Sequence, residues 1–238
     1  MIKKALFPVL IVLTLVLTVI WQILFAEKIN FYIVSAVLLV ISMLPFFASF
    51  ERKNSSSREI TLIASLIALA VVSRAAFYLV PQVKPIAAVV IASSVCLGAE
   101  RGYVVGAFSA FVSNFIFSQG IWTPFQMAAL GFVGFFAGLI FKKAYNRYTL
   151  ALYGFLSATF LYGLIVDIST VFMSLGDNIT LSGILSIYGA GMPFNLVFGL
   201  TTAVFLFFFG EGFIRKIQRI DTKYNILKDN KTSDIVKV

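Results

Sequence analysis

The chain contains no histidine and a single cysteine, Cys96. Without histidine there is no Ser-His dyad and no HExxH helix of the kind many intramembrane proteases use. One cysteine excludes an internal disulfide, and the apolar residues around it predict a buried, inert thiol. Charge is scarce as well: Asp, Glu, Lys and Arg make up 12% of the 238 residues. No GxxxxGK[ST] phosphate loop occurs, so the chain does not itself hydrolyse ATP by that route, and no carboxylates cluster at metal-ligand spacing. An enzyme would have to run acid–base chemistry on isolated groups, which argues against one. If the chain moves a solute uphill, an ion gradient or another polypeptide must supply the energy.

What is present is apolar. Hydrophobic residues reach 60% and the mean hydropathy is +0.98, far outside the soluble globular range. Apolar runs of about 20 residues recur between charged or Gly/Pro-rich breaks, which predicts an all-α polytopic membrane bundle rather than a barrel of short strands. Eight spans follow, at 5–26, 30–50, 59–80, 84–99, 102–118, 123–141, 149–174 and 184–212. The first is long and lacks a small-x-small cleavage site, so it reads as a retained helix and not a signal peptide. Spans four and five are short, as tilted or partly re-entrant elements would be. The net charge of +9 does not point to nucleic acid, because the bases sit in the short breaks and the C-terminal tail, where they orient helices. With the N-terminus in the cytoplasm, only Lys28 and Lys84 of the 19 Lys and Arg fall in outside loops. Both termini are therefore expected in the cytoplasm. The polar break at 51–58 separates two N-terminal helices (1–52) from a six-helix core (58–214), and a polar tail follows at 215–238.

The chemistry should lie in the second part, which holds nearly all the intramembrane polar residues. Arg74 falls in the apolar run of the third span, where a guanidinium costs on the order of 2.5–3.5 kcal/mol unless paired or wet. Asp167, in the seventh, lies at a similar depth toward the outside. The two are expected to pair or to face one hydrated cavity; a purely structural ion pair is the plainer alternative. Asn114, Gln119, Trp122 and Gln126 gather around a short Gly-Ile-Trp-Thr-Pro turn, and amides are costly in hydrocarbon without partners. This predicts a pocket for an uncharged polar or amphipathic ligand at the membrane's outer edge; Trp122 alone also reads as an interfacial anchor. Thr123 is expected as the N-cap of the sixth span, with Pro124 at its first position. The loop 78–85, with two prolines, Gln82 and Lys84, reads as a stiff lid. The connection 174–186, with Asp177 and Asn178, reads as the longest outside loop. Near Gly189, Gly191 and Asn195, Pro193 marks either a kink exposing carbonyls to a cavity or a helix start. Ala64 and Ala68 form a small-xxx-small pair, and Gly131, Gly134 and Gly138 stripe the sixth span. Such faces pack helices within one chain or dock a second membrane subunit.

Residues 59–212 resemble the S component of energy-coupling factor (ECF) vitamin transporters, small six-helix membrane proteins that capture a vitamin from outside. The likeness rests on Ala64 and Ala68, which match that family's AxxxA face, and on GAFSAFVSNFIFSQGIWTPFQM at 106–127. With SRAAF at 73–77 and VKP at 83–85, it looks most like the cobalamin-linked branch. The resemblance implies docking, through Ala64 and Ala68, on a transmembrane coupling subunit driven by two ATPase subunits. The two N-terminal helices depart from the family's six and either add a partner contact or cover the bundle.

The expectation is therefore a non-enzymatic vitamin-capture subunit in a bacterial cytoplasmic membrane, needing no cofactor and in contact with membrane lipid. Arg74, Lys84, Asn114, Gln119, Trp122, Gln126 and Asp167 are its candidate pocket residues. Amides and aromatics suit cobalamin, a large, amide-fringed ligand; riboflavin, a queuosine precursor or another heterocycle stays open. A stand-alone secondary carrier with Arg74 and Asp167 as a proton-linked switch is the main rival.

Overall fold

Gly98 is the pivot of the packed centre. Its φ of 83° is a conformation that a Cβ penalises, and it lets one helix end and the next begin on a single residue. The computed structural model of the protein describes residues 56–176 and 178–227, together with Ile33, Val37, Ile41, Val236 and Lys237. Apart from Ile33, Val37 and Ile41, the two predicted N-terminal helices lie outside the described residues, as do Asp177 and most of the far C-terminal tail.

Six helices follow one another: α1 (Ser57–Ala76), α2 (Ile86–Leu97), α3 (Ala99–Phe117), α4 (Thr123–Ile140), α5 (Arg147–Leu175) and α6 (Leu181–Tyr224). Among the described residues, α1, α4, α5 and α6 are long and apolar enough to cross a membrane. The protein is thus an all-α polytopic membrane protein. Side chains set several of the helix starts: Ser56 accepts from the Glu59 N–H of α1, Asn146 and Thr149 form a capping box on α5, and Thr180 caps α6. The only strands in the described residues are β1 (Ala144–Tyr145) and β2 (Val236–Lys237), a two-residue parallel pair with Ala144 opposite Val236.

At 12 residues, α2 is about 18 Å long, short of a ~30 Å hydrocarbon core. It is buried along nearly its whole length and serves as the post around which α3 and α4 close. Glycine makes that closure possible. A Cβ on Gly106 would strike the Leu130 carbonyl, and one on Gly134 would strike the Gly102 carbonyl. On Gly131 it would lie 2.6 Å from the Tyr103 ring, and on Gly138 2.5 Å from the Ala99 nitrogen. The stripe on α4 is therefore internal packing, spent on α3 and the Gly98 turn.

One end of the bundle is bolted by charge. Arg101 on α3 pairs with Glu59 on α1, the Arg58 guanidinium donates to the Tyr224 carbonyl, and Glu211 on α6 accepts from the Arg147 N–H at 3.1 Å. The buried Cys96 thiol donates weakly to the Ile214 carbonyl at 3.6 Å. Here α6 does not stop at the end of its apolar run but continues through Glu211–Tyr224, burying Ile214, Ile217 and Asp221. The Asp221 carboxylate accepts from the Leu227 N–H at 2.8 Å, folding Ile226 and Leu227 back against the core.

Two local expectations are corrected. The 174–186 connection shrinks to a few residues, because α5 runs to Leu175 and α6 begins at Leu181. Pro193 is inside α6, neither a start nor a break; lacking an N–H, it only leaves the Gly189 carbonyl without its ladder partner.

Gly134→Val should cost about 1–3 kcal/mol by overpacking the α3–α4 seam and lower the thermal midpoint of the detergent-solubilised protein. Gly189→Ala, with nothing within 4 Å of the added carbon, should not lower it. Equal midpoints for the two variants would contradict the seam.

Candidate functional site

At the end opposite the charged bolts, the α1–α4 half and the α5–α6 half diverge around a cavity of about 410 Å³. Its two walls differ in chemistry. Arg74 (α1), Gln82 and Lys84 (the α1–α2 loop) and Gln126 (α4) line one side. Tyr162, Asp167 and Thr170 of α5 line the other, with Gly191, Phe194, Asn195 and Phe198 of α6.

Arg74 is only 8% exposed. Its guanidinium donates to the Ser113 hydroxyl and, at 3.0 Å, to the Asn114 side-chain oxygen, and it lies 4.2 Å from the centre of the Phe117 ring. Every partner is neutral, so the charge is hydrogen-bonded but not cancelled. Asn114, 1% exposed, passes the network on. Its NH₂ donates to Thr123 Oγ1 at 3.0 Å and to Gln126 Oε1 at 2.9 Å. Thr123 donates in turn to Gln119 Oε1 at 2.9 Å and accepts from the Gly120 N–H. Because Gln126 uses its oxygen on Asn114, its NH₂ is left for the cavity.

Lys84 reaches in from the loop, with Nζ 5.5 Å from the centre of the same Phe117 ring. Partial burial, and secondarily the Arg74 charge, hold its ammonium below the ordinary lysine range. Tyr78 packs on Phe117 at 5.1 Å between ring centres, so one aromatic residue ties the loop to α1 and α3. On the far wall Asp167 accepts from the Asn195 NH₂ at 2.9 Å. A Cβ on Gly191 would come within 2.9 Å of that carboxylate, and one on Gly163 within 2.5 Å of the Asn195 nitrogen. Both glycines make room for the pair.

Of the residues expected from sequence, Arg74, Lys84, Gln126 and Asp167 line the cavity, while Asn114 stands behind Arg74 and Gln126 as their positioning partner. Arg74 and Asp167 share the cavity without bonding to each other; each has its own amide partner. Gln119 is exposed and donates to the Phe111 carbonyl, away from the lining. Trp122 is not a lining residue either: its indole folds over Gly120, where it leaves no space for a Cβ. It also occupies the N-cap position of α4, without a side-chain cap, which displaces Thr123 into the first turn and frees the hydroxyl for the network.

Sequence reading missed Tyr162, Thr170, Phe194 and Phe198. A helical signal was there: Tyr162, Val166, Asp167 and Thr170 share one face of α5, and Ile187, Gly191, Phe194, Asn195 and Phe198 share one face of α6.

Asn114→Leu removes the shared partner of Arg74, Thr123 and Gln126 and should cost about 1–3 kcal/mol for the polar groups it strands. Gln119→Ala, at an exposed position where water replaces the acceptor lost to Thr123, should cost less than that. Denaturation midpoints of the two variants check this; a larger loss for Gln119→Ala would contradict the network as described.

A family model described as ECF-type riboflavin transporter, S component, matches residues 54–213 of the chain. No curated protein and no solved structure matches it.

Proposed function

The chain belongs to the family of S components of ECF-type riboflavin transporters, and from that premise we propose that its cavity captures riboflavin or a heterocycle of similar size. As a member of that family it is a transporter component of the membrane, not an enzyme. It binds a small vitamin-class ligand and works with an ECF module that supplies the energy.

The observation that carries the ligand reading is the size of the cavity. About 410 Å³ lies at the lower end of the ~300–1,000 Å³ of small-molecule sites. A two- or three-ring heterocycle with a short polar chain fits such a volume. Cobalamin, with its macrocycle, amide arms and nucleotide loop, is several times bulkier and would need the α5–α6 wall to move away. The lining also suits a flat ring. Tyr162, Phe194 and Phe198 offer aromatic faces, while Gln126, Asn195 and Asp167 offer edge hydrogen bonds. We assign Arg74, Lys84, Gln126 and Asp167 to direct ligand contact and Asn114 to their positioning. Gln119 and Trp122 are assigned to the α3–α4 turn.

The orientation follows from charge. The end bearing Arg58, Lys142, Lys143, Arg147, Arg215, Lys216 and Arg219 belongs in the cytoplasm, which opens the cavity to the exterior. Ala64 and Ala68 are exposed on α1. Next to them the Thr61 and Ser65 hydroxyls are turned back onto the Ser57 and Thr61 carbonyls. The result is a smooth face of small residues without unmet polar demand, the kind of surface on which a second membrane helix packs closely. We assign it to docking on the coupling subunit.

Riboflavin titrated into the purified protein should bind. Asp167→Ala together with Gln126→Ala should weaken binding about tenfold or more, the loss of one or two edge hydrogen bonds. Ala64→Leu with Ala68→Leu should leave binding intact and abolish co-purification with the coupling subunit. Intact co-purification would remove the docking assignment; binding of cobalamin in preference to riboflavin would remove the ligand assignment.

A further inference from the structure

The cavity keeps its charges apart. Ion pairs among the described residues, Arg101 with Glu59 and Arg147 with Glu211, lie at the opposite end of the bundle. Around the cavity Arg74 and Lys84 flank a single phenyl ring, and Asp167 is bonded to an amide on the facing wall. Tyr162 lies within electrostatic reach of both Arg74 and Asp167. A chain that needed only to neutralise these groups would pair them, since a half-buried charge without a counter-charge is costly. Neutral partners instead hold each charge in place, on opposite sides of an open volume.

We infer that the ligand itself completes the balance: the cavity selects a molecule of split polarity, with an acidic group seated on Arg74 and Lys84 and an N–H-bearing ring edge on Asp167. This rests on the capture reading above and sharpens it to a substrate class, an acidic derivative of a flavin- or pterin-like heterocycle. The geometry suits each end. Arg74 has spent one nitrogen on Ser113 and Asn114, which leaves the rest of the guanidinium fork for an oxyanion. Lys84, half-buried on its loop and repelled by Arg74, gains from a negative partner. Asp167 Oδ2 takes one N–H from Asn195, and its other oxygen remains to accept from a ring imide or exocyclic amine. A neutral ligand would satisfy the Asp167 wall and leave Arg74 and Lys84 without a counter-charge.

Two matched pairs of probes test this on the purified protein by calorimetric titration: riboflavin against riboflavin 5′-phosphate, and pterin against pterin-6-carboxylate. In at least one pair the acidic member should bind about tenfold tighter or more, the worth of one charge-assisted contact. Arg74→Gln and Lys84→Gln should each erase most of that advantage, weakening the acidic member of the pair far more than the neutral one. Lys84 lies on a loop, so its variant keeps the test open should Arg74→Gln fail to fold. If neither pair shows that advantage although a neutral member binds, the inference is overturned and the capture reading stands. An advantage that survives in Lys84→Gln and in every folded Arg74 variant also overturns it. Binding of none of the four overturns both.

Discussion

A guanidinium inside an apolar bundle must be given partners, and the way Arg74 receives them determines the architecture of the cavity end. Its ligands come from α3, through Ser113, Asn114 and Phe117. Asn114 then reaches α4 through Thr123 and Gln126. One buried cation thus holds three helices at a fixed separation. The desolvation cost of the charge, several kcal/mol if left unmet, is offset by neutral donors and acceptors and by a π face. These hold the charge without extinguishing it.

The opposite end solves the same problem in another way. There Glu59, Glu211 and Asp221 are buried against Arg101, Arg147 and the Leu227 N–H, so formal charges are cancelled or capped within the chain. Between the two ends α3 and α4 close backbone to backbone across their glycines, with Ser94 of α2 against the same seam. This rigid half carries Arg74 and Gln126, against which the more loosely packed α5–α6 half presents Asp167 and Asn195. A capture site needs this combination of a fixed wall and open volume. For a membrane bundle, small residues on α4 and hydroxyls turned inward on α1 are what let the fixed wall stay thin and smooth.

Much of this was legible in the sequence, because polar groups are conspicuous against an apolar background. Six core helices, the cavity positions of Arg74, Lys84, Gln126 and Asp167, and the S-component resemblance all follow from a few residues that hydrocarbon does not tolerate alone. The failures have a different physical origin. Trp122 and Gln119 stand as close to the turn as Gln126, but the turn geometry after Ser118, at a φ of 79°, sends the indole onto Gly120 and the amide onto a backbone carbonyl. Proximity in sequence could not distinguish a lining residue from a turn residue. Tyr162, Phe194 and Phe198 were hidden for the opposite reason: in a chain this rich in aromatics, a cavity wall reads as core unless its helical period is followed. Pro193 does not break its helix, since the neighbouring turns of α6 carry one missing donor without interruption. The ligand's identity lies in volume and charge placement, which sequence alone does not display.

The central claim is that these separated polar groups enclose one ligand-sized chamber. Mass spectrometry of small molecules co-purifying with the detergent-solubilised protein tests it most directly. The account predicts a heterocycle of about the bulk of a flavin, near one per chain, and lost when Asp167 and Asn195 are both replaced by alanine. A protein that carries no small molecule even when purified from vitamin-replete cells, or whose bound molecule is undiminished by those substitutions, would contradict it.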